Sequence, residues 1–310
     1  MAEVGKLSAS KINLWNKCPY AYRLNYVDHI KVARAAYLFF GIQIHHMLDE
    51  FYKKDFKSAE SIANAWRFRW RSVVAGDFLK DKERQTLEVE EYPYTLKRSG
   101  AVIDIRVGNH IRFWGEADDV ISQFFMYRDL GEFILRGFYE RHKPQGKPLA
   151  TEERVYFDFS GYPMVAVLDR VDEKDGDFYV TDYKTNRDQP TTLDLQELPQ
   201  LTIYSAAFRH EYGTIESSML FYHLRSGKVL VTHRDEEDFD TLEQICVEVS
   251  KGITQERFGR NFIEDDCRFC DFLRPCIKGE TYYEELMRAE VDESFLAQAE
   301  AWIEALVEER

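Results

Sequence analysis

Two carboxylates and a lysine fall close together in the middle of the chain. Asp169 lies in Val167-Leu168-Asp169-Arg170-Val171-Asp172, and Asp182 and Lys184 lie in Val180-Thr181-Asp182-Tyr183-Lys184-Thr185. Both stretches read as strands rich in β-branched residues. Residues i and i+2 of a strand share a face, so Asp182 and Lys184 project together, beside Asp169 on the neighbouring strand. Such a cluster on an apolar sheet is costly unless it binds something. Two hard oxygen donors suit Mg²⁺ or Mn²⁺. A lysine beside them can orient or deprotonate water and offset charge on a phosphate. A lone D-x-K at a strand end is also commonly a solvated edge or a salt bridge, so the pair takes its meaning from its company.

The cysteines form a second group. There are five, Cys18, Cys246, Cys267, Cys270 and Cys276, and the last three lie within ten residues. An odd count in a cytosolic setting argues against a disulfide framework and for a metal or cluster site. Three thiolates need a fourth, and Cys18 is the sensible donor. Cys246 shares a helix face with Phe239, Leu242 and Val249 and reads as a small core residue. Four thiolates can hold structural Zn²⁺ or an iron–sulfur cluster.

The elements that must position these groups are legible in part. Ser8 or Ser10 caps a first helix with Ile12, Trp15, Cys18 and Tyr22 on one side. Phe40, Ile44, Met47, Leu48 and Phe51 mark a second helix, residues 58–79 a third, and 117–142 a long fourth, ended by Pro144, Gly146 and Pro148. Residues 85–115 read either as a hairpin turning at Gly108-Asn109 or as helix. Strands over 151–159, 164–171 and 178–183 form an antiparallel meander, a helix spans about 193–212, and strands over 219–224 and 229–233 join across Ser226-Gly227. A helix over 236–251, the cysteine segment 262–279 and an acidic helix over 282–309 complete the chain.

Composition bounds the rest. The chain has 310 residues, 45% apolar and 15% aromatic, which is globular and enough for one large domain or two small ones. No apolar run approaches a membrane span, and the first residues lack the apolar core of a signal peptide, so a cytoplasmic protein with no membrane contact is expected. The net charge of −14 weighs against a generic nucleic-acid binder. Its distribution does not: residues 1–71 hold 12 Lys and Arg against 6 Asp and Glu, whereas 280–310 hold 2 Arg against 10 Asp and Glu.

In order, Gly41-Ile42-Gln43-Ile44-His45, Asp169, Asp182-Tyr183-Lys184-Thr185 and Gln200-Leu201-Thr202-Ile203-Tyr204 spell G-x-x-x-H, an acid, D-x-K and Q-x-x-x-Y. This resembles the PD-(D/E)XK nuclease superfamily in its RecB-like exonuclease branch, as do Leu7-Ser8-Ala9-Ser10-Lys11 and Cys18-Pro19-Tyr20-Ala21-Tyr22-Arg23. The resemblance covers most of the chain and thins over residues 60–150. It implies an α/β restriction-endonuclease-like core, a mixed sheet flanked by helices. A helical part over 1–148 would contribute Cys18 and His45, the nuclease core would span 149–260, and 261–310 would hold the cysteine segment and acidic helix. His45, Asp169 and Asp182 would ligate the metal, with the Tyr183 carbonyl completing the shell and Lys184 as the catalytic lysine. Gln200 and Tyr204 would border the site and position substrate. The adjacent His46 competes with His45, although the spacing from Gly41 favours His45. Glu152 and Glu153 compete for an acid on the first meander strand.

The distant Cys18 with a C-terminal triple resembles the [4Fe–4S] arrangement of the AddB helicase–nuclease subunit and the CRISPR adaptation nucleases, which favours a cluster over zinc. The expected function is metal-dependent DNA exonuclease, acting in recombination, repair or phage DNA metabolism on single strands or duplex ends. The other readings are a CRISPR-adaptation-type or catalytically reduced DNA-binding module within a larger assembly, and a restriction-type endonuclease. Lys11, Lys17, Arg23, Lys31 and Arg34 would track the DNA backbone. Aromatic residues among them (Trp15, Tyr20, Tyr22, Tyr37) either stack bases or, for the most part, belong to the core. The apolar face of the acidic helix, with Phe295, Leu296, Trp302 and Leu306, either packs on its own domain or serves a protein partner or self-association. No P-loop is present, so no helicase motor is built in.

Overall fold

The meander and the two later strands form one five-stranded sheet, ordered β4-β5-β6-β7-β8. In the computed structural model these are β4 (Ala150–Phe159), β5 (Tyr162–Lys174), β6 (Asp177–Lys184), β7 (Ser218–His223) and β8 (Lys228–Thr232). All neighbours pair antiparallel except β6 and β7, which run parallel. A parallel pair needs a crossover, and the helical stretch between residues 192 and 212 supplies it. The result is the mixed α/β sheet with flanking helices that the sequence implies.

The structure describes residues 4–71, 103–143 and 146–276, apart from 31, 33, 108, 114–116, 190, 197, 262, 264–266, 268–269 and 273–274. The acidic helix expected over 282–309 and Lys31 lie outside the described residues, as does the later part of the third helix. Among the described residues no helix is long and apolar enough to cross a membrane.

Two expected helices are each broken by a proline. The first divides into α1 (Ala9–Lys17) and α2 (Pro19–Tyr26), and Cys18 sits at the junction rather than on a continuous face. Pro19 has no N–H to donate, so it opens α2 at its first position. Ser8 is the cap of α1, accepting from the Lys11 N–H. The crossover likewise divides into α6 (Thr192–Gln196) and α7 (Pro199–Tyr212), with Pro199 at the start of α7. This break fixes where Gln200 and Tyr204 begin their turn. At the other end Gly213 closes α7 at φ +64°, a left-handed cap that glycine adopts without strain.

The chain divides into two compact units. The first comprises residues 1–30, 45–55 and 140–266 and holds the five-stranded sheet. Its core joins Leu7 and Ile12 of the N-terminal segment to Leu168, Val171 and Val180 of the sheet, Leu201, Ile203 and Phe208 of α7, and Leu242, Cys246 and Val249 of α8 (Glu236–Thr254). Cys246 is therefore a core residue, and burial lifts its thiol to about 11. Leu7 also adds a short bridge to β5, donating to the Pro163 carbonyl over 2.8 Å.

The second unit comprises residues 31–44, 56–139 and 267–310. The described part of residues 85–115 follows the hairpin reading: β2 (Ile103–Val107) pairs antiparallel with β3 (Asn109–Phe113), and β1 (Arg34–Ala35) adds parallel to β3. The helix α4, described over 59–71, packs Trp66 and Trp70 against α5 (Ala117–His142), with both indole N–H groups donating to α5 carbonyls at Arg128 and Phe124.

Candidate active site

Five elements carry the candidate residues. Asp169 on β5 and Asp182 on β6 stand opposite each other, one step beyond the last paired residues, Arg170 and Thr181. The ladder ends there, and the Tyr183 N–H donates instead to Asp169 Oδ2 over 2.8 Å. This leaves Asp169 Oδ1 to face His45 Nδ1 at 3.3 Å. His45 lies on α3 (Ala36–Lys53), and its Nε2 is 3.1 Å from the Tyr183 carbonyl oxygen. His46, one residue on, is exposed, so the helix turns His45 and not His46 to the sheet.

The choice between Glu152 and Glu153 falls to the backbone of β4. Glu152 has φ +48°, in the left-handed region, where a non-glycine residue carries a strain of about 1 kcal/mol. Its Oε1 lies 3.5 Å from His45 Nδ1. His45, Glu152 and Asp169 each offer a ligand atom, and these lie within 4.8 Å of one another. Glu153 points elsewhere and accepts from the Tyr212 hydroxyl over 2.6 Å.

Beside this group, Lys184 Nζ donates to Asp182 Oδ1 over 2.8 Å and to Gln200 Oε1 over 3.1 Å. Gln200 Nε2 in turn donates to Asp182 Oδ1 and to the Tyr204 hydroxyl, at 2.9 and 3.0 Å. The i, i+4 spacing puts Gln200 and Tyr204 on one face of α7. The candidates thus fall into two hydrogen-bonded groups, His45 with Asp169 and the Tyr183 backbone, and Asp182 with Lys184, Gln200 and Tyr204, which the chain of β6 brings side by side.

The charges are strongly coupled. Burial alone would depress the His45 imidazolium, but the charges and hydrogen bonds of Asp169 and Glu152 lift it to about 10. Burial raises Asp182 to about 6, with Lys184 opposing and Asp169 reinforcing the shift. Burial also acts to raise Asp169, but His45, Lys184 and the Tyr183 N–H outweigh it and hold that carboxylate below its ordinary range.

This donor set fits a divalent cation. Asp182 Oδ2 is buried and has no hydrogen-bond partner among the described residues, a cost that a cation removes. Two carboxylates, Glu152 and Asp169, around one imidazole supply mainly hard oxygen, as Mg²⁺ and Mn²⁺ prefer, and Asp182 stands outside that group, opposite Asp169 on the next strand.

A family model of the PD-(D/E)XK nuclease superfamily matches residues 6–277. The chain belongs to this superfamily. It is also similar to the Gene 69 protein of Mycobacterium phage D29, at 26% identity over 282 residues, covering 87% of this chain and 95% of that one. As a PD-(D/E)XK nuclease it is an enzyme of metal-dependent nucleic-acid cleavage with DNA as a substrate.

The expected DNA-tracking residues of this PD-(D/E)XK nuclease have mixed settings. Lys11 donates to the Lys6 carbonyl and lies 5.3 Å from the Tyr26 ring, with burial lowering its ammonium. Arg23 pairs with Asp28 at 3.0 Å, and Lys17 is exposed at the end of α1. Arg34 lies on β1, and its side chain is outside what the structure describes. Of the expected aromatics, Tyr22 is buried and packs edge-on against Trp15, while Tyr37 is exposed.

In the first unit, the chain leading toward the cysteine triple returns to the Cys18 junction. The Tyr20 N–H donates to the Gly259 carbonyl, and Asn261 Nδ2 donates to the Lys17 carbonyl. In the second unit, Cys270 N–H donates to the Cys267 carbonyl and Cys276 N–H to that of the buried Phe272.

Sequence reasoning left Glu152 undecided and missed the polar cluster on the far side of β5. Arg170 there is buried and holds Asp172 through two hydrogen bonds. Its sequence signal is an arginine between two acids, Asp169 and Asp172, where the apolar run of β5 ends.

Proposed function

We propose that this protein is a Mg²⁺- or Mn²⁺-dependent DNA exonuclease of the RecB-like iron–sulfur branch, acting on DNA ends in recombination, repair or phage DNA metabolism. The observation that carries the reading is the buried, unpartnered Asp182 Oδ2 beside His45, Glu152, Asp169 and Lys184. His45, Asp169 and Asp182, with the Tyr183 carbonyl and now Glu152, would hold the metal. When bound, a divalent ion acidifies a water and offsets phosphate charge.

The protein's own groups do the rest. Lys184 Nζ, held by Asp182 and Gln200, presents its remaining N–H to the attacking water or to a phosphate oxygen. Gln200 and Tyr204 fix the rotamer of that lysine and line the approach for the strand. Lys11, Lys17, Arg23, Lys31 and Arg34 would meet the DNA backbone. The complete His/Asp/Asp/Lys set favours an active enzyme over a catalytically reduced binding module.

Exonuclease specificity and the [4Fe–4S] cluster rest on the motif order and on the spacing of Cys18, Cys267, Cys270 and Cys276.

End-labelled linear DNA, single- and double-stranded, and covalently closed circles are incubated with Mg²⁺ or Mn²⁺. Linear substrates shorten from their ends while circles stay intact, and Lys184→Ala lowers the rate by roughly 10²–10⁴-fold. Circles cut as fast as linear DNA would replace the exonuclease by an endonuclease. Visible charge-transfer absorption in anaerobically purified protein identifies the cluster, and a colourless, zinc-loaded protein overturns it.

A further inference from the structure

Three of the elements that carry candidate metal-site residues, α3, β5 and β6, also carry residues of a second, buried polar cluster. On β5, Arg170 follows Asp169 and points to the other face of the sheet. Its Nε and Nη2 donate to the two oxygens of Asp172 at 2.5 and 2.7 Å. Its Nη1 donates to the Tyr52 hydroxyl at 2.5 Å and lies 3.1 Å from His142 Nδ1. Tyr52 is on α3, seven residues after His45, so the two share a helix face about 10 Å apart along the axis. On β6, Tyr183 separates Asp182 from Lys184 and turns its ring into this cluster, against Tyr222 at 5.9 Å. Between the two levels, Asp49 of α3 accepts from Thr151, the residue before Glu152, over 2.6 Å.

Burying a guanidinium carries a desolvation penalty, and apolar side chains in place of both Arg170 and Asp172 would often be no less stable. What a bidentate, planar cation supplies is direction: it sets the distance and rotation of the elements it joins. His45 must approach Asp169, Glu152 and the Tyr183 carbonyl together, and a 1 Å slide of α3 along the sheet would lose them.

We propose that Arg170 and Tyr52 form a positioning clamp that sets α3 against β5 and so presents His45 to the metal site. This rests on the metal-dependent reading above. The clamp touches neither substrate nor metal, and acts through α3 and β5. The readout is therefore metal affinity rather than rate at saturation.

The test is Mn²⁺ binding by calorimetry and by loss of the free-ion EPR signal, alongside activity against metal concentration. It is run on wild type, Tyr52→Phe, Arg170→Lys and a His45→Ala control. Tyr52→Phe removes one hydroxyl and keeps the ring, so it should fold. It weakens Mn²⁺ binding about tenfold, a typical loss for a group that orients a ligand, while kcat at saturating Mn²⁺ stays within about twofold. Arg170→Lys, which keeps the charge and loses the fork, weakens binding at least as much. A Tyr52→Phe protein with wild-type Mn²⁺ affinity overturns the clamp, as does one whose affinity is unchanged while its thermal midpoint falls. Wild type that takes up no Mn²⁺ overturns the metal reading itself, and the clamp with it.

Discussion

Glu152 and Asp169 face each other across β4 and β5 at a position the ladder skips, between the pairs Thr151–Arg170 and Glu153–Leu168. Two carboxylates opposite one another repel, and Glu152 leaves the pleat at φ +48°. The imidazole of His45 lies 3.3–3.5 Å from both. Strain and repulsion are thus concentrated at one point of a regular sheet, and a divalent cation held there would offset the repulsion.

The neighbouring glutamates should therefore separate by function. Glu152→Gln removes one charge from the group around His45, and should weaken Mg²⁺ or Mn²⁺ binding about 10–100-fold and lower activity at limiting metal. Glu153→Gln should leave metal affinity unchanged and cost about 1–2 kcal/mol of stability, through the hydrogen bond from Tyr212. Metal titrations and denaturant unfolding of the two variants check this, and the reverse assignment would show Glu153→Gln losing metal.

Metal uptake should release protons in a pH-dependent way. In the metal-free protein His45 titrates at about 10 and Asp182 at about 6. Between those values His45 is protonated and Asp182 ionised, so an ion that takes the imidazole lone pair displaces about one proton. Apparent affinity should then rise about tenfold per pH unit in that window, and more steeply below pH 6, where Asp182 must also ionise. Calorimetry in buffers of different ionisation enthalpy counts the protons; none released at pH 8 would remove His45 from the ligand set.

Gln200 should matter through Lys184. Gln200→Ala deletes bonds to Lys184, Asp182 and Tyr204 at once. The ammonium keeps its 2.8 Å contact with Asp182 but loses its second tether. Activity should fall by roughly tenfold at saturating metal, less than the loss for Lys184→Ala, with Mn²⁺ affinity little changed. Single-turnover kinetics distinguish this from a binding defect.

In the second unit, Gly131→Ala should be strongly destabilising. A Cβ there would sit 2.2–2.5 Å from atoms of the Trp66 ring. That ring is fully buried, stacked on Trp70 and tied to the Arg128 carbonyl, so it has nowhere to move. The expected cost is about 1–3 kcal/mol or more, read as a lower thermal midpoint with altered near-ultraviolet dichroism.

Much of the architecture was legible because it depends on local chemistry. Alternation and turn residues locate five strands, and the i, i+2 rule places Asp182 with Lys184. The errors were also local. Periodicity carried the first helix through Cys18 and the crossover through Leu198, because a stripe of apolar residues does not register a missing N–H. Pro19 and Pro199 broke both.

The sequence by itself determined which residue types were available and in what order: an imidazole on a helix, two acids and a lysine on adjacent strands, and a glutamine and tyrosine one turn apart. Only the tertiary structure decided between Glu152 and Glu153, since adjacent residues differ by a backbone rotation that no side-chain pattern records. It likewise decided His45 over His46 and revealed Arg170 against Tyr52. Those contacts join residues more than a hundred positions apart, and the field that lifts His45 and buries Asp182 exists only once α3, β4, β5 and β6 have closed around it.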